Sequence, residues 1–578
     1  MLKCIDLIGG NGYSKSCVFL IWVIIYTYIL VHMWLVASDE PGGKIQELIL
    51  QLEQAIYDRR PVLGDIMTKH WQKNLYAYTL DFLDVNSNPT LDARRGVFLD
   101  IVHDAIVPKL GHGVADEVRA QLHRKPLVST IDHHAIIDHP FFVNANIVWA
   151  LPYDKEQLKY VVVFSFASVS LNNASAFPRG LLLHGGTQWE WDMIKLPILP
   201  DKSKMRTVYG TPGYTAEDIN KTFALLETKK KEWILSSERA MQLASFVRTY
   251  IATEDLYNTP DLSTQITKIN YNLWSQYFTD ADAPQLIYLD VETLTTEVFL
   301  RQVLHDTNHL HYKMLFDTEV RNIALQCFDT IPGAFGIEEQ WGTYFFRWLD
   351  PKGHRVRLFV TGDTLSSTDG SIVVDLDPDA IRHALDTKQI FPSMLAVYTL
   401  VALYYGMKCL WWFSQVHDLT LMKSWLEQLL SRLGRVSEVD TIKSVQTKEF
   451  GGDGIILSYS QKQDGLLTPM TGIDMYLSDR KLSFADYREI SKQVTLSEMM
   501  LPMFPEIYTV LYTIHQRDPQ LSALTMEEAM RVSGLQEKLH MLLGQYGLLH
   551  ITQEHKTPNA ALETTYPISA WAPCKVGL

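Results

Sequence analysis

Residues 160–166, YVVVFSF, form an unbroken, largely apolar run rich in β-branched side chains, with no polar face. A strand of this kind has to be covered on both sides, as it is inside a parallel sheet flanked by helices. Shorter runs of the same character stand at 127–131 (LVSTI) and 285–290 (QLIYLD), and the amphipathic VETLTTEVFLRQVL follows the second. Strands alternating with helices predict an α/β fold whose Rossmann-like parallel sheet core occupies residues 126–330.

A chain of 578 residues is too long for one hydrophobic core, and roughly 150 residues per domain suggests two to four units. Residues 39–125 read as helical: Ile45, Leu48, Leu52 and Ile56 form one stripe, and a second helical stretch runs from about Leu91 to Leu122. Residues 331–377 read as a β-hairpin insertion, because WGTYFFRWLD and HRVRLFV flank Pro351-Lys352-Gly353, with SIVVDLD as a further strand. Residues 378–435 read as helical, broken near Pro392. The region 436–578 is mixed and mainly helical, so the C-terminal half as a whole is helical in character.

The net charge of −14 argues against a nucleic-acid partner and against anionic membranes. Lys229-Lys230-Lys231 reads as a solvated helix face. Cys4, Cys17, Cys327, Cys409 and Cys574 are widely spaced and form neither a CxxC pair nor a finger pattern, which favours a reducing compartment. The N-terminus points elsewhere. Residues 17–37 carry no charge over 21 positions, enough for one membrane-spanning helix, with Lys3 and Lys15 before it and Asp39 and Glu40 after it. Three readings stand: a membrane anchor within residues 1–38, a signal cleaved near Val36-Ala37-Ser38, or a cytoplasmic protein whose translation starts at Met33.

GGNGYSKS (9–16) lacks the glycine directly before Lys15 and the strand that a phosphate-binding loop needs. His184-Gly185-Gly186 suggests an oxyanion loop, but no GxSxG elbow accompanies it. The chemistry-bearing candidates lie elsewhere. TIDHHAIIDHPFF (130–142) ends an apolar run with three histidines and two aspartates. As a catalytic set, Asp132, His133, His134 and His139 supply imidazoles that titrate near neutral pH. A zinc reading would use His133, His134, His139 and Asp138. A structural reading has Asp132 capping a helix that begins at His133, with Pro140 opening the next. His305, His309 and His311 form a second cluster, read as a partly exposed polar helix end. After the strand at 160–166 comes a polar loop, and Ser170, Asn172, Asn173 and Arg179 are its substrate-binding candidates, where ligands of open α/β sheets sit. The competing reading is a solvated loop with Arg179 in a surface ion pair.

Two family resemblances attach to these residues. Asp132-His133-His134 resembles the motif of manganese-dependent Asp-His-His phosphoesterases, which implies a two-metal site; the further Asp-x-Asp ligands of that family have no counterpart upstream. The order STIDHHAIIDHPFFVNANI, then Leu376, Pro378, Arg382 and Pro392, is similar to the cysteine-adding enzymes of bacillithiol biosynthesis, which implies a Rossmann-like core and ligase- or transferase-like chemistry. His133-His134 stand where that family has glutamines, and Trp411-Trp412 where it has glycines. The leading expectation is an enzyme acting on a small polar or anionic metabolite; no metal ligand set and no cofactor is assigned. The alternative is a membrane-tethered binding or assembly module that meets a partner protein through Trp341 to Trp348 and Trp411-Trp412.

Overall fold

A four-stranded parallel sheet forms the centre of the protein, and helices precede, connect and follow its strands. The structure is a computed structural model that describes residues 41–184, 193–232, 234–279, 283–331, 334–338, 341–461 and 465–547. The uncharged run 17–37, the segment 9–16 and Gly185-Gly186 lie outside the described residues. Among the described residues no helix is long and apolar enough to cross a membrane.

Helices α1 (Pro41–Arg59), α2 (Pro89–Leu110) and α3 (His112–Arg124) come first. Asn88 caps α2 by accepting from the Thr90 and Leu91 amides, with Pro89 at the first helical position. The single stretch expected from Leu91 to Leu122 is broken at Gly111, whose φ of +86° is open to glycine and costly for other residues. Strand β1 (Leu127–Ser129) leads through helix α4 (Pro140–Ala150) to β2 (Tyr160–Ser165). The hairpin β3 (Gly180–His184) and β4 (Met193–Pro197) follows. Helix α5 (Leu262–Trp274) then precedes β5 (Gln285–Asp290), which passes directly into α6 (Val291–Arg301).

The insertion is a small antiparallel sheet. Strands β6 (Phe346–Leu349) and β7 (Arg355–Arg357) pair as a hairpin, and β8 (Ile390–Pro392) pairs with the other edge of β6. The last core strand, β9 (Lys408–Leu410), precedes α7 (Gln415–Arg432). Sheet order is β9-β1-β2-β5, all parallel, with Tyr160 to Ser165 in register against Gln285 to Asp290. The chain is thus an α/β protein with a Rossmann-like parallel core, a β-hairpin insertion and a helical C-terminal half. Strand β9 corrects the reading of 378–435 as helical, because the sheet takes one edge from outside 126–330. Three buried residues carry no period, and Gly406 at φ +66° ends the helical run just before them.

Burial drives this arrangement. Every residue of β2 is buried, and Phe164 meets Phe98 of α2 edge to face at 5.9 Å, pinning that helix over the sheet. Each such side chain contributes about 1.5–3 kcal/mol by leaving water. Helix α4 is apolar nearly all round, so its buried asparagines turn to partners inside the protein. Asn144 donates to the Pro140 carbonyl and accepts from the Leu457 and Ser458 amides.

Candidate functional site

The carboxyl ends of β1, β2 and β5 form one edge of the sheet, where ligands bind in folds of this type. Beyond β1 the chain runs beside the chain beyond β2. The Phe166 amide donates to the Asp132 carbonyl and the His134 amide to the Phe166 carbonyl, both at 2.9 Å. These bonds hold residues 132–134 in a parallel bridge, the chain then bends and turns to His139, and the helix expected to begin at His133 under an Asp132 cap does not form. Helix α4 begins at Pro140, as its position after His139 predicts, and His139 caps it through Nδ1, which accepts from the Phe141 amide.

The four histidine and aspartate candidates have different surroundings. Asp132 is fully buried; its Oδ2 accepts from Asn146 Nδ2 at 2.7 Å and from the Tyr288 hydroxyl. Burial raises its carboxyl to about 7, and Asp453 adds to the rise while Tyr288 and Asn146 oppose it. His134 is equally enclosed: Nδ1 meets Ser165 Oγ at 2.7 Å, and Nε2 meets the Ser263 carbonyl at 2.9 Å. Burial also pushes the His139 imidazole down to about 3. Asp138 accepts from the Leu182 amide and helps anchor β3.

His133 is the member of this group that keeps some exposure to solvent. Its Nδ1 lies 3.1 Å from Asn173 Oδ1 and 3.3 Å from Ser175 Oγ. Asn173 Oδ1 also accepts from the Ser175 and Ala176 amides and from the Ser175 hydroxyl, so it acts as an acceptor and His133 Nδ1 carries the proton. This leaves the lone pair on Nε2, which bonds to no described residue. Burial lowers this imidazole to about 4, as does the charge of Arg355, while the Asn173 bond opposes both. The ring is therefore neutral at neutral pH with Nε2 open as an acceptor, but it is a weaker base than the near-neutral imidazole expected from the sequence.

Among the polar-loop candidates, Asn173 is brought to His133. Ser170 is held in a backbone bridge with Thr207, and Asn172 is exposed, its amide bonded to Lys204. Arg179 pairs at 3.2 Å with the exposed Asp201 and lies over the Phe177 ring, which matches the surface ion-pair reading.

Three arginines join this edge from the insertion. In the β6–β7 register Arg347 faces Arg357 and Leu349 faces Arg355, so all three guanidinium groups project from one face. Arg355 donates to the Ser168 carbonyl, and its charge reaches His133. Arg347 makes no hydrogen bond or ion pair with any described residue. Burial, then Arg355 and Arg357, push it down to about 9 against the pull of Glu292. Glu292 is itself occupied, accepting the Ala167 amide at 2.8 Å and the Ser168 amide at 3.1 Å, and burial raises its carboxyl. Like charges directly opposite one another in a sheet destabilise it. The sequence reading missed these residues, although HRVR shows the alternation and the expected hairpin places both arms side by side.

Other candidates find different roles. His309 and His311 are buried rather than forming a partly exposed helix end: His309 caps the helix Leu310–Phe316, and His311 bonds Thr399 Oγ1 at 3.0 Å. Trp411 is buried edge to face on Tyr398, whereas Trp348 and Trp412 are half-buried; the Trp341 side chain lies outside the described residues. Among the described residues no three histidine, cysteine, aspartate or glutamate side chains are grouped to hold a metal ion. Compared with known families and with curated proteins, the chain matches no family model and no curated relative.

Proposed function

We propose that this protein is an enzyme that binds a small anionic metabolite, carrying phosphate or carboxylate, at the carboxyl edge of its parallel sheet. The arginine trio carries this reading. Arg347, Arg355 and Arg357 concentrate positive charge on one face; Arg347 bonds to no described residue, and Glu292, the carboxylate whose charge acts on it, is engaged by backbone amides. An anion between the guanidinium groups turns their mutual repulsion into bidentate attraction. His133 Nε2 then accepts a proton from the bound substrate or an attacking group, with Asn173 and Ser175 holding the ring. The resemblance in the order of elements to the cysteine-adding enzymes supplies the reaction class, ligation or group transfer.

Thermal melting with added phosphate, pyrophosphate or citrate tests the binding half. Wild-type protein is expected to gain several degrees with saturation, and Arg347→Gln with Arg357→Gln to lose that gain. Equal shifts in both proteins, or no shift in either, would overturn the assignment. His133→Gln separates chemistry from binding: the anion-dependent shift stays and turnover of any identified substrate is lost.

A further inference from the structure

A separate cavity of about 320 Å³ opens beside Asp290, at the end of β5, and neither His133 nor any of the three arginines lines it. Its wall includes Lys109 near the end of α2, Asp261 and Ser263 at the start of α5, Asp290 and Thr293 at the start of α6, and Lys388. Four carboxylates line it: Asp104 pairs with Arg301, also in the wall, Glu297 is another, and the two whose charge acts on Lys109, Asp290 and Asp261, are committed to helix starts. Asp290 accepts from the Thr293 amide at 3.0 Å and its hydroxyl at 2.9 Å, and Asp261 from the Thr264 amide at 2.7 Å. Neither reaches Lys109. The Lys109 ammonium makes no hydrogen bond or ion pair with any described residue, although it shares the cavity with both carboxylates. Burial lowers its pKa first of all; Asp290 and Asp261 oppose this, and Lys388 adds to the lowering. A lysine whose pKa burial lowers, beside a second cation and with open space before it, has the requirements of an amine nucleophile.

We propose that Lys109 forms a Schiff base with a small carbonyl compound bound in this cavity, one whose acid group is held by the exposed Lys388 at the mouth. Nζ first gives its ammonium proton to solvent; its lone pair then attacks the carbonyl carbon, and one N–H proton passes to the carbonyl oxygen to give a carbinolamine. That hydroxyl leaves with a proton as one water, the C=N bond forms, and hydrolysis reverses the sequence with nothing else consumed. Water entering the cavity carries protons between Nζ and the Asp290 and Asp261 carboxylates, while the Ser263 hydroxyl stays on His134 Nε2 and the Thr293 hydroxyl on Asp290. This inference does not depend on the anion-binding reading, since the two sites share no residue.

The test is reductive trapping on the full chain at neutral pH, with pyruvate as probe, propanal as its uncharged counterpart and cyanoborohydride as the reductant, followed by peptide mass mapping. The expected result is one dominant reduced adduct on Lys109, formed at least about tenfold faster than on the exposed Lys202, Lys352 and Lys388. Pyruvate is expected to outrun propanal at Lys109, and Lys388→Gln to remove that preference while trapping continues. Lys109→Gln loses the adduct and keeps the anion-dependent melting shift. Adducts spread evenly over exposed lysines, or a Lys109 that stays unmodified in the wild-type protein, would overturn the proposal even if the variant failed to fold.

Discussion

Asp132→Asn separates a reactive carboxylate from a structural one, because the substitution keeps the shape and removes the titration. The Asp132 carboxyl sits at about 7 in the folded protein against an ordinary 3.8. A shift of roughly three units corresponds to about 4 kcal/mol of linkage. The folded pKa is raised, so the neutral acid supports the fold at low pH and that support is lost as pH rises through 7. Roughly 2.5 kcal/mol of it falls between pH 5 and pH 8. Asp418, Asp453 and Glu506, each also raised to about 7, titrate over the same interval, so the informative quantity is the difference between variant and wild type. Asp132 Oδ1 has no hydrogen-bond partner among the described residues, and placing an amide nitrogen there adds a constant offset that cancels between the two pH values. Urea unfolding followed by tryptophan fluorescence should show Asp132→Asn gaining about 2.5 kcal/mol on the wild type from pH 5 to pH 8, with anion binding retained. Parallel stability curves across that range would refute the reasoning, and loss of anion binding in a folded variant would return Asp132 to the site.

Two further perturbations probe the charges that hold the edges. Arg347→Leu removes one guanidinium from a cross-strand pair of like charges; without added anion it should match or exceed wild-type stability by up to about 1 kcal/mol, measured by melting in a low-salt, phosphate-free buffer. Asp474 accepts from His184 Nδ1 at 2.6 Å, from Arg239 and from Thr471; burial alone would raise its carboxyl, but His184 and Arg239 drive it well below the usual range. Its contribution is therefore present above about pH 4 and lost as pH falls further, and Asp474→Asn should cost roughly 3–5 kcal/mol near neutral pH by leaving Arg239 uncompensated. Unfolding by urea at pH 7 and pH 3 checks both the size and the sign.

Periodicity and residue type determined much of the architecture. YVVVFSF and QLIYLD had to be covered on both faces, and two such runs separated by helical stretches leave few alternatives to a parallel sheet. Pro140 at a helix start and the turn at Pro351-Lys352-Gly353 were likewise legible, because each restricts backbone angles locally. Strand β9 was not, since three apolar residues can pack in a helix or a strand and only the open edge of β1 selects the strand. The candidate site divides along the same line. That imidazoles and amides follow β1 and β2 is written in the chain, and the contact of His133 with Asn173 realises part of it. Enclosure of Asp132 and His134, the convergence of Arg347, Arg355 and Arg357 on that edge, and a Lys109 that pairs with no described residue beside Asp290 depend on segments far apart in the chain, 156 residues for Asp132 and Tyr288 and 187 for Arg355 and Ser168. Desolvation and charge coupling arise between neighbours in space, and no local pattern of residues specifies which neighbours those are.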